Sequence, residues 1–338
     1  MKYSAKHQPT PCNREGKLPA TRLISNVAVA AVSLCLASAA WATTSFPQGP
    51  IEMIVPFAAG GGLDQNARAF SKAFSEILNT PVAVVNRDGA AGAIGLTGLA
   101  AARADGQTLA FTPAVSLTSQ PHRVKTIKYN LDSFTPVCQV FDNIFAIAVL
   151  ANSPYKTLSD VLAKARAEPE SVSYGTSGVG SIPHLGTADI EAASSVRLNH
   201  AAYKGDGPMM QDLLGGRLGF GAVLASSIAS QVQAGTLRLI AVYSDRRHPN
   251  FPSVPTLKEA GVPVVQLSFG GVLAPAKTPP EVLQKLQSSC ERAAKSPAYL
   301  EWAGKAGQVV DYLPAEEFAR KLREDSQSKE ATIKRLGL

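Results

Sequence analysis

From Phe46 onward, short unbroken apolar runs alternate with longer stretches in which apolar side chains return every three or four positions. The first kind suits a strand buried on both faces, the second an amphipathic helix. Their regular succession predicts βαβ units, hence an α/β fold. Ile51 to Phe57 reads as a strand, and Asp64 to Asn79 as a helix that turns Ala67, Phe70, Phe74, Ile77 and Leu78 toward it. Pro81 to Val85 and Gln107 to Thr112 are the next strands, separated by a small-residue helix that runs to Arg103. Phe134 to Leu150 and Val264 to Ala274 are extended passages on either side of a long middle block. That block repeats the same grammar, with helices over Thr157 to Ala167 and Pro208 to Leu214 and strands over Val172 to Tyr174 and Asn199 to Tyr203. The chain is therefore expected to cross to a second lobe and return, the two extended passages forming a two-strand hinge.

Between several strands and the helices that follow them, the polar positions are glycines rather than charges. Pro56-Phe57-Ala58-Ala59-Gly60-Gly61-Gly62-Leu63-Asp64 leaves its amides uncovered, and the first turn of the next helix adds orphan donors and a partial positive charge. A small anion can be held there without a cationic side chain. Asn86 to Gly95, Gly175 to Leu185 and Lys204-Gly205-Asp206-Gly207-Pro208 open helices in the same way, the third with Pro183 in its first turn and the fourth with Asp206 or Gly207 as its cap. Four such openings, two per lobe, are expected to converge on one cleft. Asp64 reads first as a helix cap and second as a ligand contact. His184 either ties its loop to the lobe or faces the ligand; Lys204 is either a solvated charge or an ionic partner at the end of the Tyr203 strand.

The first 42 residues change the picture of charge and compartment. Lys2, Lys6, Arg14, Lys17 and Arg22 precede an apolar run from Leu23 to Leu36, with small residues suited to cleavage after Ala39 or Ala42. That is the pattern of a Sec signal peptide spanning 1–42, so export to the periplasm and a soluble mature chain are expected. The segment holds five basic side chains and Glu15, so the chain's net charge of +7 falls to +3, too modest to imply nucleic acid. Of four cysteines, Cys12 and Cys35 leave with the signal. Cys138 and Cys290 are expected as two buried thiols rather than a bridge, because a chain this long has enough core without one. No Gly-x-Ser-x-Gly elbow, phosphate-loop lysine, His-Glu-x-x-His or dinucleotide glycine pattern is present, and the histidines are scattered. Neither a catalytic residue, a metal nor a cofactor is expected.

Seven ordered motifs, covering nearly all of the chain after Ala42, make it resemble the tripartite tricarboxylate transporter substrate-binding proteins, the Bug receptors of Gram-negative bacteria. They are Pro56 to Asp64, Val85-Asn86-Arg87-x-Gly89-Ala90, Ala104 to Leu109, Tyr174-Gly175-Thr176-Ser177-Gly178-x-Gly180-Ser181-x-x-His184-Leu185, Tyr203-Lys204-Gly205, Asp212 to Gly216, and Leu273 to Pro279. The resemblance implies a type II-like, two-lobed periplasmic binding protein fold, each lobe a mainly parallel sheet flanked by helices. Lobe 1 would span 43–143 and 267–338, and lobe 2 144–266. It further implies a monomeric receptor that closes on a small carboxylate and delivers it to membrane permease subunits. By the same resemblance, Phe57, Ala58, Gly60, Gly61, Asp64, Ala90 and Gly92 would contact the ligand from the first lobe, and Ser177, Ser181, His184, Tyr203 and Gly205 from the second. Two departures bear on the ligand. Asp88, Ala91 and Ala93 stand where the family has proline, glycine and asparagine, and Val223-Leu224-Ala225-Ser226 replaces a Phe-Asp-Asn type segment. Loss of that acid removes an acceptor for an amino or hydroxyl group, so a plain or aromatic carboxylate is expected. The alternatives are a sensor that presents its ligand to a signalling partner and, in another class, an enzyme using His184 or Asp64 as general base.

Overall fold

A computed structural model describes residues 46–203 and 205–338. The expected signal segment with Cys12 and Cys35, and Lys204, lie outside the described residues. The chain runs β1 (Ile51–Val55), α1 (Gly62–Leu78), β2 (Val82–Asn86), α2 (Ala93–Ala100) and β3 (Thr108–Pro113), then the short helices α3 (Val115–Thr118) and α4 (Gln120–Arg123). β4 (Phe134–Asp142) leads into the middle block: β5 (Phe145–Leu150), α5 (Leu158–Ala167), β6 (Ser173–Thr176), α6 (Ile182–Ser194), β7 (Asn199–Ala202), α7 (Asp206–Leu214), β8 (Phe220–Leu224), α8 (Ala229–Gln233) and β9 (Leu237–Val242). β10 (Phe269–Pro275), α9 (Pro280–Ala294), α10 (Pro297–Ala306), β11 (Val309–Pro314) and α11 (Ala315–Leu336) complete it.

Two sheets result, ordered β11-β4-β10-β3-β1-β2 and β7-β6-β8-β5-β9. The expected parallel character holds where βαβ units build the sheet: β1 pairs in parallel with β2 and β3, and β6 with β7 and β8. The strands that leave and re-enter each lobe run the other way, since β10 is antiparallel to β3 and β4, and β5 to β8 and β9. Both sheets are therefore mixed rather than mainly parallel. Each is buried on both faces. Along β1, Ile51, Met53 and Val55 meet Phe70 and Phe74 of α1, while Ile54 joins Leu96 and Leu99 of α2 on the other side. In β5, Ile147 and Val149 face one core, and Ala146 and Ala148 the other. This is the period of two of a pleated strand with helices above and below.

Cys138 and Cys290 correct one expectation, because they are joined in a disulfide. Cys138 points from β4 into the layer that α9 covers, and both cysteines are fully buried in that core. Their Cα atoms are 6.4 Å apart, within bridging distance, although 152 positions separate them in sequence. Adequate core does not prevent a bridge when packing superimposes two thiols.

The passage from Phe134 to Leu150 is two strands rather than one. It breaks at Asn143 and Ile144, where the Asn143 N–H donates to the Ser268 carbonyl at 2.5 Å on the returning segment. Next to this crossing, Arg246 lies 2.7 Å from both Asp142 and Asp311, with Lys321 of α11 within 3.5 and 3.7 Å of the same two carboxylates. Further along α11 the buried Lys329 pairs with Asp325 and donates to the Leu267 carbonyl at 3.3 Å. Thr332 and Arg335 near its end donate to Asp189 of α6. One helix of the first sheet's body thus reaches the second.

Candidate functional site

Because β1, β2 and β3 are parallel, the loops after them lie on one rim; the loops after β6, β7 and β8 lie on the corresponding rim of the second sheet. Ligands of open α/β sheets bind at such carboxyl ends. The rims meet where Arg123, at the end of α4, donates from a guanidinium Nη to the Val179 carbonyl at 3.3 Å. A Cβ on Gly180 would run into that guanidinium, so the bare backbone is what lets the arginine lie against the loop.

On the first rim, Asp64 organises the loops rather than capping the helix. The helix begins at Gly62 with Gly61 as its N-cap, which puts Asp64 in the first turn. One carboxylate oxygen accepts from the Gly60 N–H at 2.9 Å and from Arg68 Nε at 2.9 Å; the other accepts from Asn86 Nδ2 at 2.9 Å. Asn86 also donates to the Phe57 carbonyl at 3.0 Å, tying the loop after β1 to the end of β2. Asp64 is buried, and the Arg68 guanidinium, with the Gly60 and Asn86 hydrogen bonds, holds its carboxyl down at about 2 against the opposing cost of burial. Three hydrogen bonds engage its carboxylate, which positions the two loops, and the Gly60 N–H is spent on it. Ala58, Gly61 and Gly62 are exposed, with Phe57 half-buried beside them. In the second loop Ala90, Ala91 and Gly92 take φ of 48°, 51° and 94°, and a side chain on Gly92 would strike Ser116. Ser116 Oγ in turn donates to the Ala91 carbonyl at 3.0 Å, joining a third loop to the first two. Ala91 holds a left-handed conformation that the family's glycine adopts without cost.

On the second rim, Ser181 is the N-cap of α6, yet its hydroxyl makes no capping bond and is buried without a partner. With Pro183 in the first turn, one of the N–H groups such a cap serves is missing. His184 Nδ1 accepts from the Gly180 N–H at 2.9 Å, which fixes the neutral ring with its proton on Nε2. The ring stacks on His200 at 4.2 Å between centroids, and His200 Nε2 hydrogen-bonds Thr176 Oγ1 at 2.8 Å. Burial, with Arg123 adding to it, pushes His184 down; burial and then His184 push His200 down to about 4. Tyr203 does not offer its hydroxyl to the cleft, because that hydroxyl donates to Asp212 at 2.7 Å. The Gly205 N–H is spent on the Ser177 carbonyl at 3.3 Å, where it holds two loops together. Of the twelve expected residues, then, Asp64, Tyr203 and Gly205 support the rims, while Ser177, Ser181 and His184 gather on one loop and helix start.

Sequence reasoning missed Arg123 and Asp206. Arg123 follows β3, whose loop must lie on the same rim as those after β1 and β2, so strand order held a signal for it; residue type did not. Asp206 was read only as a cap, whereas Gly205 caps α7 and Asp206 occupies its first turn. Burial raises its pKa, and the neighbouring Ser177 side chain opposes that shift.

Two lobes joined by paired crossing segments, with glycine-rich strand-end loops facing each other, define a solute-binding receptor. The sequence pattern described as "Tripartite tricarboxylate transporter family receptor" matches residues 66–338, and the chain belongs to that family. It is 32% identical over 311 residues to "UPF0065 protein in gbd 5'region" of Cupriavidus necator, covering 92% of this chain and 94% of that one. Its fold superposes with a TM-score of 0.80 on a TctC solute binding protein from Polaromonas, at 30% identity over 86% of this chain and all of the other. R. palustris Rpa4515, solved with adipate, superposes with a TM-score of 0.72 at 27% identity, over 87% of this chain and 99% of the other.

Proposed function

We propose that the cleft between the rims captures a small carboxylate in the periplasm and that the loaded receptor delivers it to the membrane permease of a tripartite tricarboxylate-type transporter, acting as a monomer without catalysis. One observation supports this most. Arg123 Nε, Ser181 Oγ and Asp206 Oδ1 are buried without hydrogen-bond partners among the described residues. Arg123 touches Val179 and Gly180, Asp206 neighbours Ser177, and Ser181 ends the same loop. Buried polar groups without partners are rare and cost about 1–3 kcal/mol each, so a cluster of them calls for a ligand. An anion facing Arg123, Ser181 and the Nε2–H of His184 would satisfy donors on this side, with amides of Gly61, Gly62, Ala90 and Ala91 on the other. Adipate on a relative fits the same class of ligand.

A thermal-shift screen against mono-, di- and tricarboxylates tests the reading. A ligand at about one hundred times its Kd adds about 2.7 kcal/mol, enough to move the melting midpoint visibly. Gly61→Asp should abolish the shift while leaving the unliganded melt unchanged, since the new carboxylate sits among the amides. An unaltered shift in that variant would overturn the amide cradle.

A further inference from the structure

We propose that Asp206 selects the ligand, its free carboxylate oxygen accepting a hydrogen bond from a hydroxyl or ammonium group carried beside the ligand's carboxylate, so that the receptor takes hydroxy- or amino-carboxylates in preference to plain ones. The inference rests on the receptor reading above and reverses the expectation drawn from the Val223 to Ser226 segment.

The geometry is specific to this position. Gly205, with φ of 97° and nothing near the place of its missing Cβ, turns the chain after β7 so that the next residue enters α7 directly under the 177–181 loop. There Asp206 neighbours the Ser177 side chain, and Gly205 donates to the Ser177 carbonyl. A carboxylate has about four acceptor positions to fill. Oδ1 is left buried and unpartnered, and no ion pair to Asp206 occurs among the described residues. By contrast, Asp212 in the same helix is fully engaged, with Tyr203 on one oxygen and Arg217 on the other. An acid that only favoured a helix N-terminus would point into water, as the exposed side chains of Glu316 and Glu317 do at the start of α11.

Charge separates the two ends of such a ligand. Arg123 lies against Val179 and Gly180, and Asp206 beside Ser177, so a cation and an anion flank one five-residue loop, to which His184 is tied through the Gly180 N–H. A plain carboxylate would satisfy the arginine and leave the aspartate both unpaired and repelling; a donor group on the adjacent carbon satisfies both. A ligand lacking a donor for which a buried acceptor is built is rejected strongly, because the acceptor stays unpaired.

The test is calorimetric titration of purified protein, freed of bound ligand by unfolding and refolding, with matched triplets of plain, 2-hydroxy and 2-amino dicarboxylates from four to six carbons. The wild type should prefer the hydroxy or amino member of its best triplet by about tenfold to a hundredfold. Asp206→Ala should erase that preference by weakening the substituted acid alone, with affinity for the plain acid equal or higher. Asp206→Asn, which keeps an acceptor without the charge, should retain part of the preference for hydroxyl and little for ammonium; that difference identifies which donor is native. A wild type that prefers the plain acid, or an Asp206→Ala variant that melts normally and keeps the preference, overturns the inference and leaves the receptor reading standing. Failure of every triplet and of the wider carboxylate screen would overturn both.

Discussion

At the scale of single residues, Asp64 shows how an acid can hold a loop through the groups it binds. Its folded carboxyl titrates at about 2 rather than 3.8, so the stability it supplies is present above about pH 4 and is lost as pH falls toward 2. That shift corresponds to about 2 kcal/mol. Asp64→Asn should lower stability by up to that amount at pH 7, and by progressively less as acid unfolding is followed below pH 4. It should also weaken carboxylate binding, because Gly60 and Asn86 lose the group that positions them. Arg123→Ala separates binding from stability. It should leave the unliganded melt nearly unchanged and reduce carboxylate affinity about tenfold or more in titration calorimetry, most steeply at low salt. The importance of Asp64 was legible from its place before a helix, but its role was not. Arg68, one helical turn on, could be read from residue order, but Gly60 and Asn86 are brought to it by loop closure and by the pairing of β1 with β2, which residue order does not display.

Among elements, the start of α6 concentrates the second rim's chemistry. His184 and His200 stack as neutral rings, and both titrate below the usual histidine range because of burial. Their folded forms resist protonation while the unfolded chain takes protons near 6.5, so stability should fall as pH drops from about 6.5 to about 4 and level off below. For His200, discounted for its partial exposure, the loss is on the order of 2 kcal/mol. His200→Asn should flatten that limb in denaturant titrations across pH. The disulfide between β4 and α9 makes a separate prediction at this scale. Cys290→Ser should lower stability by about 2–4 kcal/mol, read as a shift of the urea midpoint that reductant reproduces in the wild type. Element identities were legible because periodicity is local: the observed α1, α5 and β3 lie within a residue or two of their sequence readings. The break between β4 and β5 was not, since apolar residues continue through it, and what ends the strand is a hydrogen bond from Asn143 to Ser268, distant in sequence.

For the whole molecule, the two-lobed plan was legible from the repeated strand, loop and helix grammar. The mixed sheets were not, because direction is set by how the chain re-enters a lobe. Strand order has one more consequence, in time rather than in space. β10 lies between β3 and β4, and pairs with both. As an exported chain emerges from its N-terminal end, β4 appears before the middle strand of that sheet; the whole second lobe, from Phe145 to Val242, must emerge before Phe269 does. Until then β3 and β4 both present open edges of apolar residues, the surfaces on which nascent chains aggregate. The second lobe, continuous in sequence, can fold while the first waits. The receptor is thus assembled from the inside of its sequence outward, and its first lobe stays vulnerable until nearly the last segment has arrived.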